Sequence, residues 1–205
     1  MKRKPAAPAL AFHPASPERW NDIEALFGPR GACAGCWCMW WRRARSEFQK
    51  NAGDGNRRAF RKLIDGGAVP GILAYAEGKP VGWCAVEPKS AYPSLERSRT
   101  KRVDDRPCWS VSCFFVDKAW RKQGVTAALL DAAIDRARRL GADLIEGYPI
   151  DTSGSKGGDV MAFSSFMGTA QVFRRAGFAV VARPSAAHPV MRLELAKKPR
   201  KLRKL

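Results

Sequence analysis

The sequence has no apolar run of the roughly 18 residues that a membrane-spanning helix needs. Its basic first residues are not followed by the apolar stretch of a secretory signal, and no internal repeat is present. Hydrophobic residues make up 45% of the 205 residues, which is enough for one sizeable core. We therefore expect a single domain, at residues 9–196, in the cytoplasm.

Acidic residues are scarce: 19 Asp and Glu stand against 37 Lys and Arg, which gives a net charge of +18. Nine of the positive charges lie in two short ends, residues 1–8 and 197–205, which we expect to be flexible. The rest of the chain is basic too, and either nucleic acid or a phosphate-rich cofactor would explain this charge. Since no nucleic-acid motif is present, the basic ends predict only non-specific, salt-sensitive binding of nucleic acid.

The order of strand and helix patterns predicts a mixed α/β sheet with helices on its faces. Its centre is a strand, helix and strand in sequence, which predicts parallel pairing across a right-handed crossover. The predicted strands are 10–13, 71–76, 81–86, 109–116, 142–148, 178–182 and 190–195. One predicted helix begins at Ser16, and three others span 56–64, 126–140 and 166–176.

The turn between the strand at 109–116 and the next helix has the character of an anion site. It contains Arg121, Lys122 and Gly124, and the long helix begins directly after it. Free N–H groups and the dipole at a helix N-terminus attract anions, and a glycine lets the backbone approach a ligand closely. The turn lacks the glycines of a Walker A loop and of the dinucleotide fingerprint. We expect a pyrophosphate at residues 121–126.

Two motifs resemble those of the GNAT acetyltransferase superfamily. Arg121 and Gly124 match Arg/Gln-x-x-Gly-x-Gly/Ala at the start of a helix that follows an apolar strand, although Thr126 replaces the last Gly or Ala. Residues 173–178 are similar to the aromatic-x-x-x-Gly-Phe pattern that closes the superfamily's last helix. The resemblance covers about residues 71–195 and implies a mostly antiparallel sheet around the βαβ unit.

The resemblance also implies an acetyl-CoA-dependent N-acetyltransferase. Acetyl-CoA would be the co-substrate, with its pantetheine arm along a splayed strand and its pyrophosphate on the N–H groups of residues 123–126. A small-molecule or peptide amine would be the acceptor, with aminoglycosides, polyamines, amino acids and protein amino termini all open; a homodimer would agree with related folds. The residues assigned to the cofactor are Phe114, Phe115, Val116, Arg121, Lys122, Gln123, Gly124, Val125, Thr126 and Phe173.

The expected chemistry is direct attack of a neutral amine on the thioester, with one group removing the amine proton and another protonating the leaving thiolate. Many superfamily members carry a tyrosine acid where Phe173 stands. Tyr148 is therefore the predicted acid, and Ser164 and Ser165 are alternatives. Because Phe173 cannot donate a proton, a non-catalytic domain of the same fold stays open.

Glu146 is the predicted base. It lies two residues before Tyr148 on a strand, so the two side chains share a face. Apolar neighbours would raise the pKa of its carboxyl group and make it a better proton acceptor. Glu87 and Asp151 are the alternatives.

The segment at residues 31–43 is rich in cysteine and tryptophan. The trio Cys33, Cys36 and Cys38 suggests zinc, but a fourth ligand would have to come from His13, Cys84 or Cys108, so we expect thiols and no metal. A second interpretation is an acceptor pocket, and a third is simple packing in the core. The residues assigned to the acceptor are Trp37, Met39, Trp40 and Trp41.

Overall fold

The computed structural model of the chain describes residues 9–153 and 165–195, so the predicted basic ends lie outside the described residues. Seven strands form one sheet in the order β1-β2-β3-β4-β5-β7-β6. The strands are β1 Ala11–Pro14, β2 Gly71–Ala76, β3 Lys79–Pro88, β4 Trp109–Val116, β5 Leu144–Gly147, β6 Ala179–Ser185 and β7 His188–Glu194.

The pairing between β4 and β5 is parallel, and every other neighbouring pair of these strands is antiparallel. The long helix α5 connects β4 to β5, as the predicted βαβ unit requires. The predicted mixed, mostly antiparallel sheet is therefore confirmed. The α-helices are α1 Trp20–Phe27, α2 Arg45–Lys50, α3 Asp54–Asp65, α4 Pro93–Glu96, α5 Val125–Arg139 and α6 Ala170–Arg175.

Two of these helices were not expected from the sequence, and one is shorter than expected. The helices α2 and α4 are only six and four residues long, too short for an apolar period to stand out. The helix expected over 166–176 is divided into a 3-10 turn, Ser165–Met167, and α6, because Gly168 between them has a φ of 80°. Within the described residues, no helix combines the length and apolarity needed to cross a membrane.

The hydrophobic core lies on both faces of the sheet. On one face, the apolar side of α5, including Leu129, Leu130 and Ala133, packs against β2, β3 and β4. On the other face, α1, α3 and the segment at 31–43 form a second cluster over Leu73 and Trp83. The predicted helices on both faces are thus confirmed.

Candidate functional site

Strands β4 and β5 run side by side for only three residue pairs, Trp109–Val111 opposite Ile145–Gly147. Beyond that point β5 ends, and Ile150 instead forms a bridge with Thr169. Strand β4 also carries a bulge: Cys113 pairs with Ala85 and Val111 with Val86, which leaves Ser112 as the extra residue. A bulge bends a strand and is common beside active sites. Among the described residues, no strand pairs with residues 112–116 on the edge that faces β5, and we call this the open edge of β4.

A cleft of about 600 Å³ follows this open edge; we call it the long cleft. Arg121 and Thr126, from the predicted anion turn, line it together with the second half of β4. The long cleft is lined by Ala32, Cys33, Phe114, Phe115, Val116, Arg121, Thr126, Phe166, Gly168, Thr169 and Val172.

The turn at residues 121–126 is shaped by left-handed backbone and local hydrogen bonds. Gly124, which caps α5, has a φ of 86°, and Lys122 has a φ of 62°. Upstream, the Asp117 carboxylate accepts from the N–H of Ala119 at 2.9 Å, which fixes the entry to the turn. Arg121 Nε donates to the Val116 carbonyl at 3.1 Å, so its guanidinium lies against the end of β4.

The N-terminus of α5 presents unpaired backbone donors. Among residues 9–153 and 165–195, no acceptor is paired with the N–H groups of residues 123–126; the first backbone bond of the helix runs from Ala128 N to Gly124 O, at 3.1 Å. No Asp or Glu occupies the first turn, and the Val125 side chain is buried in the core. The backbone, together with Arg121 and Lys122, can therefore hold an anion here.

A second cavity, the apolar pocket, has a volume of about 80 Å³. It shares five residues with the long cleft, so the two spaces meet beside β4. None of the described residues that line it is an Asp, Glu, His, Lys or Arg. Its lining consists of Ala32, Cys33, Ala34, Cys36, Cys38, Trp40, Trp41, Phe48, Ser112, Cys113, Phe114, Phe115 and Phe166.

The segment at 31–43 supplies one wall of the apolar pocket, but with different residues than predicted. Trp40 and Trp41 line the pocket, as expected of acceptor-binding residues. Trp37 and Met39 do not: both are buried, and the Trp37 ring stacks on Trp20 with centroids 5.9 Å apart. We correct the acceptor assignment accordingly. Positive φ angles at Trp37 and other positions make the backbone of the segment irregular, so no helical or strand period shows which of its side chains face the pocket.

Thiols of the same segment line the pocket instead. Burial, and next the neighbouring Cys38, raise the pKa of Cys36 to about 12. Burial also raises the pKa of Cys38 well above its ordinary value. Both side chains are therefore neutral thiols near pH 7 and weak nucleophiles. No group of three or more His, Cys, Asp or Glu in the described part of the chain is arranged to hold a metal ion.

The predicted catalytic pair, Glu146 and Tyr148, shares a face as expected, and Tyr148 donates a hydrogen bond to the Glu146 carboxylate. Both side chains are fully buried, and neither lines the long cleft or the apolar pocket. Glu146 Oε1 lies 2.8 Å from Lys89 Nζ, and Oε2 lies 2.7 Å from Arg192 Nε. Its neighbours are thus cations rather than the apolar groups that the prediction assumed. A base must reach the proton that it removes, so we correct this assignment to a structural role.

The alternative bases are also engaged. Glu87 forms an ion pair with Arg42, and both side chains are largely buried. Hydrogen bonds from Arg174, and next from Ser153, hold the pKa of Asp151 well below its usual range. A carboxylate with a lowered pKa is a poorer proton acceptor.

Phe173 is placed in the core, and this corrects its assignment to the cofactor. Its side chain is fully buried, with ring centroids 6.2 Å from Phe114 and 4.9 Å from Phe178. The ring covers Gly147, where a Cβ would lie 2.1 Å from Phe173 Cε1. Of the alternative acids, Ser164 lies outside the described residues.

Several lining residues were missed by sequence analysis. Ser112 lines the pocket because of the bulge, which the alternation of apolar residues in β4 does not reveal. Phe48 lines it from α2. Gly168 and Thr169 line the long cleft just before α6, where a glycine followed by a threonine at the N-cap was the one available signal.

Comparison with known proteins gives one family and one fold. The model of the Acetyltransferase (GNAT) family matches residues 37–148, more than half of the chain, and so includes the bulged strand, the turn and β5. This match begins before the region expected from the motifs and ends before α6. No curated protein matches the sequence.

Three solved structures illustrate the shared fold. A histone acetyltransferase HPA2 and related acetyltransferase from Corynebacterium glutamicum is 19% identical, with a TM-score of 0.54 over 93% of this chain and 99% of that chain. The Drosophila melanogaster polyamine N-acetyltransferase, which catalyses formation of N-acetylagmatine, is 12% identical, with a TM-score of 0.56 over 91% and 100%. The PaiA N-acetyltransferase of Thermoplasma acidophilum, in complex with coenzyme A, is 10% identical, with a TM-score of 0.51 over 91% and 99%. Fold and family match agree, and the protein therefore belongs to the GNAT acetyltransferase family.

Proposed function

We propose that this protein transfers the acetyl group of acetyl-CoA to the amine of a small molecule or peptide within a ternary complex. One observation carries the proposal: the long cleft and the apolar pocket meet beside the open edge of β4. A donor in the cleft and an acceptor in the pocket would therefore bring their reacting atoms together there. Holding two reactants in this way accounts for much of the rate of a two-substrate reaction.

The chain's own groups fit the parts of coenzyme A. The free N–H groups of residues 123–126 would bind the diphosphate, helped by the positive charges of Arg121 and Lys122. The open edge of residues 114–116 would hydrogen-bond the amides of the pantetheine arm in the manner of an added strand. Acetyl-CoA supplies an activated thioester with a good leaving group.

The apolar pocket would prepare the amine. Its apolar walls disfavour the charged ammonium form and so favour the neutral amine that attacks. A backbone N–H on the open edge of β4 would stabilise the oxyanion that develops on the thioester carbonyl. Ser112 carries the hydroxyl group among the described pocket residues. We assign to this hydroxyl the role of holding the water molecule that takes the amine proton.

Direct attack also agrees with the state of two thiols of the apolar pocket. Because Cys36 and Cys38 have raised pKa values, neither is set up to take the acetyl group first. Initial rates measured against both substrates should give intersecting lines in a double-reciprocal plot. Parallel lines would indicate a covalent acetyl-enzyme and would contradict the ternary complex.

Titration calorimetry with acetyl-CoA, followed by a thiol-release assay over a panel of amines, tests the function. We expect acetyl-CoA to bind and at least one amine to be acetylated. Arg121→Ala should weaken acetyl-CoA binding several-fold, by about 1 kcal/mol. Arg99→Ala is the matched control, since it removes the same charge from an exposed side chain outside the cleft.

Three outcomes separate the alternatives. Binding with turnover supports the enzyme. Binding of acetyl-CoA without turnover on any amine supports a non-catalytic domain of the same fold, an alternative that stays open because Phe173 has no proton to donate. Absence of acetyl-CoA binding by the folded protein contradicts the proposal.

A further inference from the structure

We propose that the acceptor carries its amine on a small apolar group, about the size of one aromatic ring, and has no second positive charge. This rests on the proposed function and names the substrate class of the same site. It separates this chain from the polyamine and agmatine enzymes with which it shares a fold.

The volume of the apolar pocket limits the size of the acceptor. Its volume of about 80 Å³ holds roughly five to eight water-sized groups, at about 10–15 Å³ each. A six-membered ring takes up about that space, and its amine arm would extend to where the pocket meets the long cleft. A multi-ring aminoglycoside does not fit.

The walls of the pocket set the second limit. Trp40 meets Phe48 edge to face, with centroids 5.0 Å apart at 83°, and meets Trp41 at 6.2 Å and 85°. The resulting aromatic corner continues across the pocket into phenylalanine rings from β4 and from the turn before α6. Aromatic rings prefer such offset and edge contacts with another ring, so an aryl group gains contacts here that a polar chain does not.

The charges around the apolar pocket disfavour an acceptor with a second positive charge. No Asp or Glu is among its described lining residues, and the nearby Glu87 is neutralised by Arg42. A cation could still be attracted to the face of a tryptophan, but the Arg45 guanidinium carbon already lies 5.4 Å from the Trp40 ring centroid. A second cation on the acceptor would meet this arginine, and no Asp or Glu of residues 9–153 and 165–195 lines the pocket to balance it.

An adjoining cavity of about 200 Å³ extends the same electrostatic preference. It shares Trp40, Trp41 and Phe48 with the apolar pocket, and Arg43 and Arg45 also line it. Arg43 is paired with Glu47 at 3.3 Å, so a substituent that leaves the pocket on this side meets the positive charge of Arg45. A neutral or carboxylate-bearing acceptor is tolerated here, whereas a diamine is not.

The test compares amines of similar length in the thiol-release assay at saturating acetyl-CoA. We expect kcat/KM for 2-phenylethylamine to exceed that for agmatine and for 1,4-diaminobutane by about tenfold or more, a difference of about 1.4 kcal/mol. L-Phenylalanine should be acetylated better than either diamine. Preference for agmatine or 1,4-diaminobutane would overturn the inference and leave the acetyltransferase proposal intact.

A substitution at Ala34 tests whether the lack of a carboxylate among the described pocket residues sets the preference for an aryl amine over a diamine. Ala34 is exposed, lines the pocket and has left-handed backbone with a φ of 48°, which Asp and Asn adopt more readily than Ala. Ala34→Asp should therefore fold, and we expect it to shift the kcat/KM ratio toward 1,4-diaminobutane by about tenfold. Ala34→Asn, of the same shape without the charge, should keep the wild-type ratio. An unchanged ratio in Ala34→Asp would contradict the inference.

Binding provides a readout that does not need turnover. With coenzyme A bound, 2-phenylethylamine should change the tryptophan fluorescence at lower concentration than 1,4-diaminobutane, because it contacts Trp40 and Trp41. This result without acetylation would support the inference about the pocket while the enzyme proposal fails. Equal or reversed affinities would overturn the inference in either case.

Discussion

The turn at residues 121–126 lines the long cleft and the segment at residues 31–43 lines the apolar pocket, and they do so with different parts of the chain. The turn offers backbone N–H groups at the start of a helix, fixed by one left-handed glycine. The segment offers side chains whose directions depend on several residues of positive φ, interrupted by Cys33 and Cys36. Function carried by backbone can be inferred from a short motif, whereas function carried by side chains requires the conformation to be known first.

The largest expected effect concerns a residue that belongs to neither region. Glu146→Gln should lower the free energy of unfolding by about 3 kcal/mol or more, because Lys89 would lose its buried carboxylate partner. Chemical denaturation measures this loss. If Glu146 is structural, kcat/KM at a temperature where the variant is folded should change less than tenfold. A loss of about 1,000-fold or more in kcat with unchanged stability would restore Glu146 as the base and move the chemistry away from both regions.

The next largest effect tests whether the backbone of the turn at residues 121–126 binds acetyl-CoA. Gly124→Val should weaken acetyl-CoA binding about 100-fold, near 2.7 kcal/mol, since a β-branched residue disfavours a φ of 86° and displaces the N–H groups. Gly141→Val is a matched control: this glycine follows the other end of α5, has a φ of 83° and also has no atom within 4 Å of an added Cβ. Both variants should lose similar stability, but calorimetry should find weaker acetyl-CoA binding in Gly124→Val alone. Equal losses of affinity in the two variants would remove the turn from the cofactor site.

The buried side-chain amide of Asn56 tests what holds the segment at residues 31–43 in place. Asn56 Nδ2 donates to the Gly35 carbonyl at 3.0 Å, and Asn56 Oδ1 accepts from Arg43 at 3.0 Å. Asn56→Ala should cost about 1–3 kcal/mol of unfolding free energy, because it removes both of these hydrogen bonds from a fully buried side chain. It should also raise KM for the amine more than it raises the dissociation constant of acetyl-CoA.

Asn51→Ala serves as the control for this loss of an amide. The Asn51 side chain donates to a carbonyl of its own helix turn, in an exposed setting, and the expected change in stability is within about 0.5 kcal/mol. Equal changes in acetyl-CoA and amine binding in Asn56→Ala would show that the segment does not act on the acceptor alone.

The smallest expected effect distinguishes Trp41, which lines the apolar pocket, from Trp37, which is buried in the core. Trp41→Phe should raise the KM for 2-phenylethylamine by about three- to tenfold, through lost ring contact of roughly 1 kcal/mol. Its stability should change little, because the buried Trp41 N–H has no hydrogen-bond partner in the part of the chain that the structure describes. Trp37→Phe should show the reverse pattern in the same two assays. An identical pattern in the two variants would contradict the division between pocket and core.

Most of the fold was predictable because its signals are local and redundant. The strand at 109–116 was predicted with the bounds that β4 has, and α5 was predicted to within one residue at each end, since Gly124 and Gly141 flank a clear helical period. The short helices α2 and α4 were not predictable, because their geometry comes from tertiary packing rather than from an apolar period.

The site was predictable only in part. Arg121 and Thr126 line one cleft with Phe114, since a strand followed by a helix brings them together, and their contact with the cofactor stays a prediction. The catalytic assignment went wrong because a strand carboxylate has the same sequence pattern whether its neighbours are apolar or cationic. Lys89 and Arg192, which surround Glu146, are 57 and 46 residues away in the chain, and no local pattern reveals them.

The central claim is that the backbone at the start of α5 holds the diphosphate of coenzyme A. Amide NMR during a titration of the isotope-labelled protein with acetyl-CoA tests it most directly. We predict that the N–H signals of residues 123–126 shift strongly downfield, together with those of the open edge at 114–116, while those of residues 139–142 at the other end of the helix stay in place. Saturable binding of acetyl-CoA that leaves the signals of residues 123–126 unchanged would contradict the claim.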